Sequence, residues 1–430
     1  MTAIDSRAFG ALADGATLDT AALQRAIDAA PRGVAVRLSG GTFRSGTLEL
    51  HSGTILEIAP DAVLEGSPDI ADYRDCGFHH REMGETLSLI FALGAEDVEI
   101  RGGGTIRFNG SAFMDWDAPP RFRNGAVLAD PSPELVAETI CPVRKRPSQP
   151  VFFDSCRHVR IHDVKAVDSP CWTFTFSDCE DVEVERVSID NNLRIPNSDG
   201  VHFSASRRIR VRDCDFSCGD DCFAATCITH PDGECRDILV ERCRMRSRSA
   251  AIRVGHNASH VLFRDIEIAD TNRGVCVYAR KSGGAISDIL FERVRAETRI
   301  FAGDWWGNGE PFVVSGAGAA GTIDGVTFRD CSFVCESPGL VMGEGGNVRG
   351  VALERCALRH EPGPAPSALR ETMDLRPNVT LGAAPWVAGT TLFIRGAEAS
   401  VRALPPPALS ANGRIPSGKH ADIQTCLAGF

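Results

Sequence analysis

Three aspartates are the clearest candidates for chemistry in this sequence. Asp199 lies in the motif NSDG at 197–200, while Asp220 and Asp221 lie in GDDC at 219–222, 21 residues further on. Neighbouring carboxylates repel one another and are costly to bury, so a fold keeps such a cluster mainly where it is used. Carboxyls of unequal pKa suit hydrolysis of a glycosidic bond, in which one donates a proton and others activate water. The alternative is a pair of Asp-rich turns, which two motifs in register make less favourable.

A repeated phrase between residues 156 and 360 explains how the two motifs can meet. It reads apolar–x–apolar–x–x–apolar, and successive copies begin 23 to 37 residues apart. This period, with alternation inside each unit, is typical of a β-solenoid whose coils stack about 4.8 Å apart. One coil then separates the two acidic motifs, and stacking places them side by side. The copies are VRIHDV (159–164), VEVERV (182–187), IRVRDC (209–214), ILVERC (238–243), VLFRDI (261–266), ILFERV (289–294), VTFRDC (326–331) and VALERC (351–356).

The last position of the phrase predicts an inward stack of aliphatic and thiol side chains. It is occupied by Val164, Val187, Cys214, Cys243, Ile266, Val294, Cys331 and Cys356. A zinc site is the alternative, because Cys214, Cys218 and Cys222 recur at intervals of four. That spacing does not converge on a β-structure and no Cys-x-x-Cys pair accompanies it, so we expect neither a metal nor another cofactor.

The start of the chain predicts a short capping helix. The segment LDTAALQRAIDAA (18–30) places Leu23, Ile27 and Ala30 on one side, with Thr20 as the helix cap. Such a helix would cover the open end of a solenoid. We therefore expect a single domain over residues 1–430, with a tail that packs along the solenoid or at a subunit contact. Its parts are the cap at 1–35, coils at 36–360 with insertions at 76–90, 109–150 and 301–320, and C-terminal strands and tail at 361–430.

The composition of the chain limits the binding partners and the cellular compartment that can be expected for it. The formal net charge of −11 argues against a nucleic-acid partner, and no apolar run is long enough to predict a membrane span. Residues 1–10 lack the basic and apolar parts of a secretory signal, and the 16 cysteines follow no small disulfide scaffold. We therefore expect a cytoplasmic protein with reduced thiols; a homo-oligomer stays open.

Together these motifs resemble glycoside hydrolase family 28, the polygalacturonase and rhamnogalacturonase group. SPCW at 169–172 precedes the two acidic motifs by one coil, and the opening AFGALADG (8–15) is similar to that of many pectin-active β-helices. The likeness covers most of residues 5–300. It implies an all-β, right-handed parallel β-helix of the pectin-lyase-like kind that inverts the anomeric configuration. It also implies that Asp220 is the general acid and that Asp199 and Asp221 hold and activate the water.

Two departures from the family pattern concern the substrate. Ala250 stands where the family has a histidine, and His256 falls about six residues late. Residues 276–278 read Cys-Val-Tyr where the family has an Arg-x-Lys clamp for the substrate carboxylate. Either Arg253 or Arg280 could supply the cation from a shifted position, and ordinary solvated arginines are an equal alternative. A surface position for His256 is equally compatible with the sequence.

Further candidates for substrate binding lie outside the repeats. Trp305, Trp306 and Glu310 occur in the segment DWWGNGEP, where exposed indoles could stack on sugar rings and the carboxylate could accept hydroxyl hydrogen bonds. The alternative is that both tryptophans pack the loop against the solenoid. Asn197, beside the acids, completes the predicted binding set.

The sequence thus predicts an inverting glycoside hydrolase with an oligosaccharide substrate. Long insertions would wall off the groove, which favours exo-action on plant-wall or pectin-derived fragments. One rival is a lyase or an intramolecular glycosyl transferase on the same scaffold, suggested by the missing histidine and clamp. A second is a carbohydrate-binding solenoid without catalysis.

Overall fold

Short strands with alternating apolar residues stack as coils along one axis. The computed structural model describes residues 3–361, 363 and 392–403. The predicted tail beyond residue 403 and most of the Pro-rich stretch at 361–380 lie outside the described residues. The coils are parallel and right-handed, which confirms the predicted β-helix.

Each coil contributes to two sheets. The front sheet carries the candidate site and has 11 described strands. In chain order they are Leu48–Glu49, Ile90–Leu93, Val151–Asp154, Phe174–Ser177, Val201–Ser204, Phe223–Thr226, Ala250–Gly255, Arg273–Tyr278, Glu310–Ser315, Gly339–Met342 and Leu392–Arg395.

The larger back sheet has 21 described strands and contains all the copies of the repeated phrase. Its strands are Ile4–Asp5, Asp14–Leu18, Ala35–Leu38, Gly41–Ser45, Ile55–Ile58, Ala62–Gly66, Glu96–Arg101, Thr105–Arg107, Arg157–His162, Lys165–Val167, Glu180–Glu185, Ser188–Asp190, Arg207–Arg212, Asp215–Cys218, Cys235–Ser247, Ala258–Thr271, Ala285–Thr298, Thr322–Arg329, Ser332–Cys335, Val348–His360 and Ala399–Ala403.

The remaining elements are helical turns and one hairpin. The α-helices are Thr20–Ala29 and Pro133–Val136, and the 3-10 helices are Ser6–Phe9, Ile70–Asp72, Gly110–Phe113 and Arg123–Gly125. The strands Asp75–His80 and Gly84–Leu87 pair antiparallel. This hairpin overlaps the predicted insertion at 76–90 and begins one residue before it.

Inward side chains form continuous stacks because the parallel register repeats from coil to coil. Phe153, Phe176 and Phe203 are register neighbours, with ring centroids 5.4 and 4.9 Å apart and nearly parallel rings. Every residue at the last position of the repeated phrase is buried, which confirms the predicted stack of aliphatic and thiol side chains. Small apolar units thereby build a core that no single coil could form.

The N-terminal helix caps the stack, but not through Thr20. Its N-cap residue is Asp19, whose carboxylate accepts from the backbone N–H groups of Leu12 and Ala13 instead of capping the helix. The Thr20 hydroxyl oxygen accepts from Gly46 N–H on the first coils. The prediction of Thr20 as the cap was therefore wrong, because both side chains tie the helix to neighbouring segments.

Two long segments lie beside the front sheet and meet each other. Arg123, within the insertion at 109–150, donates to the carbonyl oxygens of Phe301 (3.1 Å) and Gly307 (3.0 Å) and to Asn308 Oδ1 (2.6 Å). The Arg299 guanidinium donates to the Glu138 carboxylate at 2.8 Å. The insertion therefore spans several coils and fixes the loop at 299–309 in place.

Candidate active site

The acidic motifs lie in adjacent turns that precede front-sheet strands. Gly200 N–H donates to the Asp221 carbonyl oxygen at 2.8 Å, so the turn of Asp199 stacks directly on the turn of Asp220 and Asp221. A Cβ at Gly200 would overlap the carbonyl oxygen of Cys222. The close approach of the two turns therefore requires glycine at this position. The one-coil spacing of the motifs places the three carboxyls together, as the sequence predicted.

Burial makes all three acids hard to ionise, and repulsion adds to this for Asp199 and Asp221. Burial, then the charges of Asp220 and Asp221, raise the pKa of Asp199 well above its usual range. Burial also raises the pKa of Asp220, against the lowering effect of the Arg253 charge. Burial raises the pKa of Asp221 to about 7, again opposed by Arg253. The cluster can therefore hold a proton near neutral pH, as a general acid requires.

Two of these carboxyls each keep one oxygen without a partner. Asp199 Oδ1 and Asp221 Oδ1 are buried and have no hydrogen-bond partner in the described part of the chain. Buried polar atoms are normally paired, so such atoms mark places where a water or a ligand group would bind. Both residues are thus able to hold a water, the role that the family resemblance gives them.

Asp220 differs from its neighbours in being only half-buried. Its Oδ1 accepts from Asp221 N–H at 3.0 Å, and its Oδ2 accepts from Asn197 Nδ2 at 3.4 Å. Arg146 in turn donates to Asn197 Oδ1 at 3.0 Å. Asn197 therefore orients the exposed acid, and Arg146, which the sequence did not single out, fixes that amide.

Arg253 belongs to the site rather than to solvent. Its guanidinium donates to Asp221 Oδ2 at 3.2 Å and, through Nε and NH2, to the Tyr278 hydroxyl oxygen at 3.0 and 2.6 Å. The side chain is 20 % exposed and lies 5.2 Å from the ring centroids of both Tyr278 and Trp306. One cation and two aromatic rings thus stand directly beside the acids.

His256 reaches the edge of this group through Tyr278. Its Nε2 lies 3.4 Å from the Tyr278 hydroxyl oxygen, and its Nδ1 accepts from Cys227 N–H at 3.1 Å. Burial, followed by the charge of Arg253, lowers the pKa of His256 to about 3. The imidazole is therefore neutral, half-buried and linked to Asp221 only through Tyr278 and Arg253.

Three predicted binding residues have other roles in the structure. Trp305 is 6 % exposed and its indole N–H donates to the Glu138 carbonyl oxygen at 2.7 Å. Glu310 is 4 % exposed and its carboxylate accepts from Arg273. Arg280 donates to the Pro231 carbonyl oxygen at 2.9 Å, and its charge helps to lower the pKa of His256. Trp305 and Glu310 are thus packed inside the protein rather than presented to a sugar.

The sequence reasoning missed His202. It is buried in the front-sheet strand Val201–Ser204, where its Nδ1 lies 3.0 Å from Asp199 Oδ2 and its Nε2 lies 2.9 Å from Thr226 Oγ1. The Trp172 ring stacks on the imidazole with centroids 3.8 Å apart. The signal was present, because alternation turns Val201 and Phe203 inward and leaves His202 on the outer face beside the NSDG motif.

Neither a metal site nor a membrane helix emerges from the described residues. They contain no group of three or more His, Cys, Asp or Glu side chains arranged to hold a metal ion. Cys222 instead donates to the carbonyl oxygens of Phe216 and Arg246, within the core of the coils. No helix in the described ranges is long and apolar enough to cross a membrane.

The fold is thus a parallel β-helix that brings two buried carboxyls and one half-buried carboxyl into one groove, flanked by a cation and aromatic rings, an arrangement suited to hydrolysis of a glycosidic bond. Residues 77–298, just over half of the chain, match the sequence model of Glycosyl hydrolases family 28. The protein belongs to this family. The named resemblance is thereby confirmed.

Curated relatives match over only part of their length. The exo-poly-alpha-D-galacturonosidase of Dickeya chrysanthemi is 28% identical over 241 residues, 50% of this chain and 40% of that protein. A probable polygalacturonase of Vitis vinifera is 27% identical over 234 residues, 50% of this chain and 42% of that protein. The matches thus span less than half the length of these relatives.

Solved structures support the same fold. A hyperthermoactive exopolygalacturonase from Thermotoga maritima superposes with a TM-score of 0.64 at 18% identity, over 83% of this chain and 87% of the other. A polygalacturonase from Erwinia carotovora gives a TM-score of 0.63 at 19% identity, over 85% and 96%.

Proposed function

We propose that this protein is an inverting glycosidase that removes residues from one end of pectin-derived, galacturonate-containing oligosaccharides. The observation that carries the proposal is the cluster of Asp199, Asp220 and Asp221, which two stacked turns bring together and whose pKa values are all raised. Such a cluster keeps a proton for the leaving group while leaving a base for water.

In the proposed reaction Asp220 donates its proton to the glycosidic oxygen, because it is the acid with exposure to the groove. A water held by the unpartnered oxygens of Asp199 and Asp221 attacks the anomeric carbon from the opposite face and gives up a proton to the cluster. The glycosidic bond breaks as the new C–O bond forms, so the configuration inverts. Asp220 loses one proton and the base gains one proton from the water, so the total charge of the cluster does not change.

Exo-action is supported by the hairpin at 75–87 beside the site. Phe78 packs on Phe152 with ring centroids 5.0 Å apart, and Met83 packs against the cluster of Cys171, Trp172 and Ile228. The Glu82 charge acts on Arg253, so the hairpin tip comes close to the site. A hairpin in this position closes the groove on its N-terminal side and leaves room for a chain end. The names of the Dickeya and Thermotoga proteins agree with this mode.

An acidic sugar is supported by Arg253 and Tyr278. Register pairing places Arg253 beside Cys276 on the next strand, which is where the clamp of the family resemblance would begin. The guanidinium of Arg253 therefore approaches the same part of the groove from the preceding coil. Its second neighbour, the Tyr278 hydroxyl, adds a hydrogen-bonding group that can contact a substrate carboxylate.

The test is turnover of a panel of defined oligogalacturonides by the wild-type protein and by Asp220→Asn. We expect products that gain one water, a single released monomer or dimer, and a loss of about 100-fold or more in kcat for Asp220→Asn. Proton NMR of the first product gives the anomeric configuration. Arg144→Gln, an exposed side chain in the long insertion, serves as the matched control.

Each alternative gives a different result in the same experiment. A lyase releases an unsaturated product that absorbs in the ultraviolet, and an intramolecular transferase gives a product without added water. Rapid loss of polymer viscosity would contradict exo-action. Binding without turnover, unchanged in Asp220→Asn, would identify a carbohydrate-binding solenoid instead.

We also propose that the enzyme works in the cytoplasm on imported fragments. Fifteen cysteines in the described chain are free thiols, and all except Cys76 are buried. This arrangement suits a reducing compartment. Fractionation of native cells would test the proposal, and recovery of the protein outside the cytoplasm would overturn it.

A further inference from the structure

We propose that His202 is a positioning residue that fixes Asp199 for water activation by donating Nδ1–H to Asp199 Oδ2. This inference rests on the proposed hydrolysis and adds a residue to it. Asp199 is 2 % exposed, and His202 Nδ1 lies 3.0 Å from its Oδ2. The contact occupies one carboxylate oxygen and leaves Oδ1 as the atom able to hold the water.

The surroundings of His202 prevent it from moving or turning. One face of the imidazole lies against Trp172, with centroids 3.8 Å apart and rings inclined by 15°. His80, from the hairpin at 75–87, packs edge-on against Trp172 at 4.8 Å. At the far side Thr226 Oγ1 lies 2.9 Å from Nε2. The imidazole is thus held by Trp172 on one face and by Thr226 at Nε2, and it keeps the Asp199 carboxylate that it contacts in a fixed position.

The proton arrangement follows from what each partner can do. Burial and then the charge of Arg253 lower the pKa of His202 well below its usual range, so the imidazole is neutral and carries one proton. The Thr226 hydroxyl is able to donate to Nε2, which leaves that proton on Nδ1. An Nδ1–H directed at Asp199 favours the ionised carboxylate, which is the form that a base for water requires.

The site therefore has an imidazole in contact with one of its acids, although Ala250 occupies the position where the family pattern has a histidine. His256, the sequence candidate, reaches the cluster only through Tyr278. His202 instead contacts an acid directly, from a strand of the same front sheet two coils before that of Ala250.

Two amide substitutions separate the two contacts of the ring. The amide of His202→Asn lies at the level of Nδ1 and keeps a donor for Asp199, whereas that of His202→Gln lies at the level of Nε2 and keeps only the Thr226 contact. We expect His202→Gln to lower kcat about 100-fold with KM changed less than about twofold, and His202→Asn to recover most of the loss. Equal losses in both variants, or a loss carried by KM, would overturn the inference.

The pH dependence of kcat/KM gives a second test, because it would stay unchanged if the role of His202 were purely structural. Charged or titratable groups facing this pair are Asp220, Asp221, Cys171 and Arg253 around Asp199, and Arg253, His80 and His256 around His202. Loss of the Nδ1–H donor raises the pKa of Asp199 further, so the acidic limb of kcat/KM should move to higher pH in His202→Gln. An unmoved limb in that variant counts against the proposed contact.

A third measurement does not depend on turnover. Nitrogen-15 NMR of histidine-labelled wild-type protein, with His202 assigned by its absence in His202→Asn, reports which ring nitrogen carries the proton. We expect a neutral ring protonated at Nδ1 whose signal shifts in Asp199→Asn. A ring protonated at Nε2 overturns the inference even if hydrolysis is observed. An Nδ1–H ring in a protein that turns over no oligogalacturonide leaves the contact in place and refutes the proposed function.

Discussion

At the scale of single residues, the acidic side chains proposed to carry the chemistry also lower the free energy of unfolding as the pH rises. Burial raises the pKa of each aspartate of the cluster, and repulsion adds to this for Asp199 and Asp221, so the folded protein holds protons that the unfolded chain releases. A carboxyl with a raised folded-state pKa contributes stability that is present below its unfolded pKa and lost as the pH rises. The three acids should therefore weaken the fold above about pH 4.

Replacing Asp199 by asparagine should stabilise the protein while it removes activity. The amide keeps a hydrogen bond to His202 and carries no charge, so the penalty that the wild type bears at pH 8 disappears. We expect a rise of at least about 2 °C in Tm at pH 8 and little change at about pH 2.5, where Asp199 is protonated in both states. Equal shifts at both pH values, measured by calorimetry, would show that repulsion is not the cause.

The adjacent tryptophans should respond differently to substitution. Trp306 is half-buried and stands 5.2 Å from Arg253, whereas the Trp305 indole is committed to the Glu138 carbonyl oxygen. We expect Trp306→Phe to raise KM severalfold with little change in Tm, and Trp305→Phe to lower Tm with little change in KM. Steady-state kinetics and thermal melts of the two matched variants check this; the reverse result would exchange their roles.

Among the larger elements, the contact between the insertion at 109–150 and the loop at 299–309 matters most. Arg123 is buried and donates to three acceptors on that loop. The same loop carries Trp306 to a position between Arg253 and Arg273, whose guanidinium lies 4.6 Å from the indole centroid. One wall of the groove is thus assembled from segments more than 150 residues apart.

Arg123→Met should loosen this wall. Loss of three hydrogen bonds, each worth about 1 kcal/mol or more, should lower the free energy of unfolding by roughly 2–4 kcal/mol. Hydrogen exchange should increase at 299–309 and stay unchanged in the coils. Arg121→Met, an exposed arginine two residues away, is the control and should behave as wild type. Uniformly faster exchange would mean that Arg123 supports the whole fold instead.

Over the whole molecule, the repeated phrase places a charged residue at every corner of the back sheet. The corner residues all have φ between 51° and 55°, and Asp and Arg alternate from coil to coil. Each arginine donates through Nε and NH2 to the aspartate of the preceding coil, as Arg186 does to Asp163 at 2.7 and 2.8 Å. The corner residues are Asp163, Arg186, Asp213, Arg242, Asp265, Arg293, Asp330 and Arg355.

This charge ladder should have the opposite pH dependence to the site. The Arg186 guanidinium lowers the pKa of Asp163, so its contribution is present above the unfolded pKa and is lost as the pH falls through the lower, folded-state value. Because both side chains are largely exposed, Arg186→Gln should cost less than about 1 kcal/mol at pH 7 and less still in high salt. Denaturant unfolding at pH 7 and pH 2 would check this. A difference at pH 2 as large as that at pH 7 would assign the effect to packing.

Much of the architecture could be predicted from the sequence, because every coil of a solenoid repeats the same pattern of apolar residues. The eight copies of the phrase gave the coil period, and the one-coil separation of NSDG and GDDC gave the meeting of the three aspartates. Asn197 was also predicted beside the acids, because it belongs to the NSDG motif. For Arg253 the sequence left a solvated arginine as an equal alternative. Trp305 and Glu310 were misjudged, because a composition suited to sugar binding does not reveal which side chains the long insertion covers.

By itself, the sequence determined the β-helix, the inward thiol and aliphatic stacks, and the position of the acidic cluster, because these depend on periodicity that local residues carry. Only the tertiary structure decided that His202 contacts Asp199, that Arg253 joins Asp221 to Tyr278, and that Arg123 fixes the loop of Trp306. Those contacts join different coils and insertions, and their geometry depends on how side chains from distant segments fill the same space. Periodicity sets which coil a residue occupies, whereas packing sets which partner it finds.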